Sequence, residues 1–196
     1  MHPYSIETKE RKNILLFLAV MSIVLSWAFY QMLSNYKVIL PWWVESPSVL
    51  FFYGFLFVFF DNLGWKWFRK IGLVKTPNMN GEWDGNLKTS FDGHSSELTT
   101  ALKIFQTWTK IKIILTADHS VSYSEVASLI VEAPEGKYLS YQYINEPKSD
   151  AVQTMSIHRG TTKLLFDEKA DTLSGEYYSG RDRQNFGSLH FERKIK

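Results

Sequence analysis

Aromatic rings and hydroxyls alternate through the second half of this chain in a pattern suited to binding. Trp108, the run Ser122-Tyr123-Ser124, Tyr141, Tyr143 and the pair Tyr177-Tyr178 offer flat faces and neutral hydrogen-bond donors, and Ser179-Gly180-Arg181-Asp182-Arg183 follows directly. Such rings stack on heteroaromatic groups, and an Arg fork engages phosphate oxygens in bidentate fashion. Each residue also has a plain structural reading. Tyr favours strands, and an Arg in a tight turn usually faces solvent.

Catalytic signatures are missing. The sequence contains no Gly-x-Gly-x-x-Gly, phosphate-loop, Gly-x-Ser-x-Gly or His-Glu-x-x-His motif. It has no cysteine, so it can form neither a disulfide nor a thiolate nucleophile or metal ligand. His94, His119, His158 and His190 are scattered, and Asp167-Glu168 and Asp182 sit in turn-like stretches. These features predict a binding protein that is not an enzyme and carries no metal or cofactor. Twenty-two Lys and Arg against twenty Asp and Glu leave a net charge of +2. That balance argues against DNA or RNA duplex binding, which needs basic residues clustered on one face.

The elements that must position these side chains are strands. The pattern predicts them over 81–89, 98–116 (bent near 105–107), 121–132, 137–145, 153–158, 162–167, 172–179 and 186–193. Leu139, Tyr141 and Tyr143 share one face, as do Leu173, Gly175 and Tyr177. Turn residues separate the runs, at Asp92-Gly93, Pro134-Glu135-Gly136 and Arg159-Gly160 among others. Eight strands without βαβ alternation imply an antiparallel meander, and closing it into a barrel removes the exposed edges. A β-sandwich is the main alternative, and 95–103 has a possible short helix. Gly81-Glu82-Trp83 resembles the Gly-x-Trp opening of lipocalin-like barrels, where the Trp plugs the closed end.

Ahead of the strands lie two apolar stretches. Residues 13–36 carry no charge, and Ile14–Leu33 is long enough to cross a bilayer core. Residues 46–60 are shorter, but Trp42, Trp43, Trp65 and Trp67 flank them like interfacial anchors. A cleaved signal peptide does not fit the first stretch, which lacks an A-x-A-like site. The division predicted is a two-helix transmembrane region over 1–72 and a β-barrel over 73–196. Lys9, Arg11 and Lys12 before the first span, and Lys66, Arg69, Lys70 and Lys75 after the second, place both termini and the barrel in the cytosol.

The order of these features resembles a family. Behind the helix hairpin come Gly81-Glu82-Trp83-Asp84-Gly85, Gln106-Thr107-Trp108, Ser122-Tyr123-Ser124, Tyr141-Gln142-Tyr143-Ile144-Asn145, His158-Arg159-Gly160 and Gly175-Glu176-Tyr177-Tyr178-Ser179-Gly180-Arg181. Over essentially its whole length the chain resembles the two-transmembrane, strand-rich effectors of bacterial cyclic-oligonucleotide antiphage signalling (CBASS), which are analogous to STING. The resemblance implies a membrane-anchored, eight-stranded lipocalin-like barrel that binds a cyclic dinucleotide made by a partner nucleotidyltransferase. It also implies homo-oligomerisation in the inner membrane, lipid disruption and abortive infection. The positions that match this chemistry are Trp108, Ser124, Tyr141, Tyr143, Tyr177 and Arg181. The competing expectations are a membrane-tethered carrier of an apolar small molecule and a membrane-anchored hydrolase.

Overall fold

The computed structural model describes residues 1–36, 42–180 and 184–194, with the side chains of residues 42–47 outside that description. The chain divides into two compact units, one of Thr8–Lys75 and one that combines Met1–Glu7 with Thr76–Lys196.

Among its described residues, the first unit contains two helices long and apolar enough to cross a membrane, Glu10–Asn35 and Ser48–Lys70. Helix α1 (Glu10–Asn35) exposes Leu16, Phe17, Ile23 and Trp27 and buries Ser22 and Ser26 one turn apart on a single face. Ser26 hydrogen-bonds Ser48 of α2 (Trp42–Phe59), and Phe29 meets Phe52 edge-on at 5.9 Å. Small hydroxyl residues let two apolar helices approach closely. The second helical run does not stop at the end of the apolar stretch. A π-helical turn (Phe60–Gly64) carries it into α3 (Trp65–Lys70), where Trp65 is fully buried and Trp67 exposed. Glu10 Oε2 accepts the Lys75 backbone N–H at 2.5 Å and ties the unit's two ends. Lys37 and the side chains of Trp42 and Trp43 lie outside the described residues.

Among the described residues, the second unit is a closed barrel of nine strands. Eight run as an antiparallel meander in chain order: β2 (Gly81–Thr89), β3 (Leu98–Gln106), β4 (Lys110–Thr116), β5 (Ser120–Ile130), β6 (Lys137–Pro147), β7 (His158–Asp167), β8 (Thr172–Ser179) and β9 (Phe186–Arg193). Pairing of β2 with β9, from Trp83↔Arg193 to Thr89↔Gly187, closes it.

Several sequence expectations change. The long strand over 98–116 is two, because the chain reverses at 107–109. There the Thr107 N–H donates to Lys110 O (2.8 Å), and Thr107 Oγ1 accepts from the Lys110 N–H (3.0 Å). Conversely, 153–157 is not a strand, and Arg159-Gly160 lies inside β7 rather than in a turn. Gly160 is needed there for space. A Cβ at that position would sit 2.3 Å from the Tyr143 hydroxyl.

The ninth strand, β1 (His2–Ile6), comes from the stretch that the sequence assigns to the membrane region. Strands β4 and β5 pair only at 114–116 with 121–123 and then part. The gap takes β1, antiparallel to β4 at His2 and Pro3 and parallel to β5 from Tyr4 to Ile6. Buried Tyr4 fixes it, its hydroxyl donating to Trp108 O at 2.7 Å.

The two ends of the interior are packed differently. One end is plugged: Trp83 is fully buried, its Nε1–H donates to Met79 O (3.1 Å), and the Arg193 guanidinium lies 4.1 Å above its ring. Arg193 also donates to Asn80 O, Asn78 O and Asp171, so it pins the incoming chain under the barrel. Leu102, Leu129, Leu139, Leu164, Leu173 and Phe191 fill the space above Trp83. The other end is open.

Candidate functional site

The open end holds a cavity of about 620 Å³, within the range of small-molecule sites (~300–1,000 Å³). Strand periodicity sets its wall. Along β6, Leu139, Tyr141, Tyr143 and Asn145 alternate inward, and the ladder then fixes their neighbours on β7 and β8. Tyr141, Thr162 and Tyr177 share one level; Tyr143, Gly160 and Ser179 the next; Ser122, Asn145 and His158 the level nearest the mouth. The wall on β5 to β8 therefore grades from aliphatic, through tyrosine, to hydroxyl, amide and imidazole, while Leu87, Leu98, Leu115 and Leu189 line the cavity from β2, β3, β4 and β9.

Glycines make room for the rings. Tyr143 faces Gly160, and Tyr177 faces Gly187, where a Cβ would lie 2.7 Å from Tyr177 Cε1. The tyrosines thus lie over bare backbone on the next strand, and the central space stays open. Burial pushes the Tyr141 hydroxyl above the ordinary phenol range, partly opposed by its hydrogen bond to Thr162. Tyr141 is therefore a neutral donor at physiological pH.

Connections at the open end form the rim. The β6–β7 segment, 148–157, folds inward and buries Ala151. It is clasped to the β4–β5 turn: the Lys148 N–H donates to His119 O and its Nζ to Asp118 O, both at 2.8 Å. Across the mouth, Asp92 in the β2–β3 connection accepts from the Ser96 N–H (3.0 Å) and hydroxyl, which holds its carboxyl below the usual carboxylate range. Asp92, Asp118 and Asp150 line the cavity, and no Lys or Arg does among the described residues. The described residues contain no cluster of His, Asp and Glu able to hold a metal.

Tyr141, Tyr143 and Tyr177 meet in this cavity. Trp108 does not. It is fully buried in the β3–β4 turn, at the plugged end. Ser124 does not line the cavity either: its Oγ accepts from the Ile113 N–H (2.9 Å) and bonds His2 Nε2 (2.7 Å), where β4 and β5 part beside a bulge in the β5–β6 ladder. Its hydroxyl substitutes for a lost ladder partner. Arg181 lies outside the described residues. Sequence reasoning passed over Asn145, His158, Thr162 and the rim segment 148–157. The period-2 signal that singled out Tyr141 and Tyr143 continues to Asn145 on the same face and could have found it.

A chain with two membrane-length helices and a barrel whose open end holds a ring-lined cavity is built as a small-ligand receptor with two candidate membrane spans. A family model described as the Cap15 cyclic dinucleotide receptor domain matches residues 74–193. Over 184 residues the chain is 31% identical to CD-NTase-associated protein 15 of Yersinia aleksiciae, covering 90% of this chain and 86% of that protein. It is 32% identical over 129 residues to CD-NTase-associated protein 15 of Staphylococcus schleiferi, covering 65% and 68% of the two chains. The chain belongs to the Cap15 family.

Proposed function

We propose that a cyclic dinucleotide entering the open end of the barrel gathers copies of the chain in the membrane, and that the assembled helices breach the bilayer. The chain is a CBASS antiphage effector with a cyclic dinucleotide receptor domain. The finer reading places both termini and the barrel on the cytosolic side of the bacterial inner membrane, following the basic residues that flank the spans. A CD-NTase supplies the ligand, and abortive infection follows.

The observation that carries this reading is the cavity itself, with three tyrosines around a space of about 620 Å³ inside the family-matched domain. Each base stacked on such a ring contributes ~1–3 kcal/mol. A ligand can drive assembly only through binding the assembled form more tightly than the resting one. Leu87, Leu98, Leu115 and Leu189 line the cavity beside the hydroxyls, the amide and the aspartates, a mixture that suits a flat base with polar edges.

The test uses the full chain in vesicles of phosphatidylethanolamine and phosphatidylglycerol loaded with a fluorescent dye. Cyclic dinucleotides are titrated while particle size and dye release are followed. Saturable binding, growth in assembly size and leakage at the same ligand concentration are expected. Binding without assembly or leakage would overturn the effector mechanism, and no binding across a cyclic dinucleotide library would overturn the receptor reading.

A further inference from the structure

We infer that Asn145, held by Ser120 and Ser122, reads the edge of a nucleobase. This inference rests on the receptor reading above and assigns a part of the cavity to one part of the ligand. Asn145 Nδ2 donates to Ser120 Oγ (3.1 Å) and to Ser122 Oγ (2.9 Å), and all three residues line the cavity with 5–8% exposure. Both serine oxygens act as acceptors in these bonds, which leaves their protons for another partner. Asn145 Oδ1 is buried and has no hydrogen-bond partner. Turning the amide over would leave its NH₂ group unsatisfied instead, so one edge of the amide lacks a partner in either orientation.

A neighbour extends the array. His158 pairs with Asn145 across the β6–β7 ladder, and its Nδ1–H donates to Ser156 O at 3.0 Å. In the neutral ring that bond leaves Nε2 as an acceptor. Ser122, Asn145 and His158 on one level of the wall and Ser120 on the next thus present adjacent donors and acceptors from four buried side chains.

Buried polar groups without partners are rare in folded proteins. The space this cluster borders is the ligand cavity, so the ligand supplies the missing partners. A phosphate suits the place poorly. Its oxygens only accept, and Asp118 and Asp150 line the same cavity with no Lys or Arg among the described lining residues. A base edge carries donors and acceptors side by side, and Asn is a common partner for one. The base therefore enters at Asn145, with the phosphates elsewhere in the site. A polar site built this way rejects ligands that leave its groups unpaired.

The experiment measures affinity of the full chain, in lipid nanodiscs, for cyclic dinucleotides that differ by one amine-for-carbonyl exchange on a base: adenine against hypoxanthine, and cytosine against uracil. The wild-type chain separates the members of at least one pair by about tenfold or more. Asn145→Ala brings that ratio to within about twofold and still binds both members, and Ser122→Ala, which removes one anchor of the amide, gives a ratio in between. Melting curves confirm that the variants are folded. An unchanged ratio in Asn145→Ala, equal weakening of both members, or a wild-type chain indifferent to every exchange would overturn the inference and leave the receptor reading standing. Failure of the wild-type chain to bind any cyclic dinucleotide would remove both.

Discussion

The two ends of the barrel interior are built from the same strands and do opposite work. At the plugged end, Trp83, Leu102, Leu139, Leu164 and Phe191 are almost completely buried, and Arg193 holds the incoming chain against the Trp83 ring. At the open end, the same strands present tyrosines, hydroxyls and an amide around empty space. Neighbouring levels differ by only two residues along each strand, so a step of one alternation converts packing into recognition. Stability and ligand contact are therefore separated along the axis and can be perturbed separately.

The strongest way to break this comparison is at the plug. Trp83→Ala removes a fully buried ring and the stacking surface for Arg193, and its expected cost is about 3–5 kcal/mol in stability. Denaturant unfolding would show a large fall in midpoint, and binding should fail only as folding fails. Gly160→Ala strikes between the two ends. Its Cβ would crowd the Tyr143 hydroxyl at 2.3 Å, so a loss of about 1–3 kcal/mol from overpacking is expected. The displaced ring should also cut affinity at temperatures where the variant is fully folded. An affinity equal to that of the wild type would mean that Tyr143 does not shape the site.

Tyr177→Leu keeps an apolar side chain at the cavity wall and removes the stacking face. Affinity for the cyclic dinucleotide should fall about tenfold, with a far smaller change in unfolding midpoint than Trp83→Ala gives.

Proton linkage sharpens the contrast further. Burial raises the Tyr141 phenol above its unfolded value, which lies near pH 10. The stability this group contributes is fully present below about pH 10 and is lost as pH rises through the higher folded value. Tyr141→Phe should therefore flatten the alkaline part of the stability curve, while near neutrality it shifts the curve by only the lost hydrogen bond to Thr162, about 0.5–1.5 kcal/mol, without changing its slope. The smallest effect belongs to the barrel exterior. Lys103 pairs with Glu82 at 2.7 Å with both side chains half exposed, and Lys103→Ala should change stability by about 0–1 kcal/mol and affinity not at all.

Side-chain type and alternation were legible in the sequence, whereas height along the barrel axis was not. The Gly-x-Trp opening placed Trp83 at the plug, and period-2 alternation placed Tyr141, Tyr143 and Tyr177 facing inward. Trp108 and Ser124 have equally suitable chemistry, but they sit in the plugged-end turn and at a bulge. Nothing in their local sequence records which end of a strand a turn closes. Gly160 reads as a turn residue because Gly usually serves turns, yet its purpose is to accommodate a ring from the preceding strand. Strand β1 was hidden for a different reason. His2–Ile6 is short, contains Pro3 and finds partners only because β4 and β5 part.

That short strand changes what the helix pair is to the barrel. The hairpin does not precede the receptor; it is spliced into it, with the chain leaving the sheet after Ile6 and rejoining it at Gly81. A truncation starting at residue 74, where the family match begins, amputates a stave and bares the flanks of β4 and β5 to whatever strand passes by. Clumping of such a fragment would reflect a raw edge, and should vanish when a peptide spanning residues 1–7 is supplied in trans.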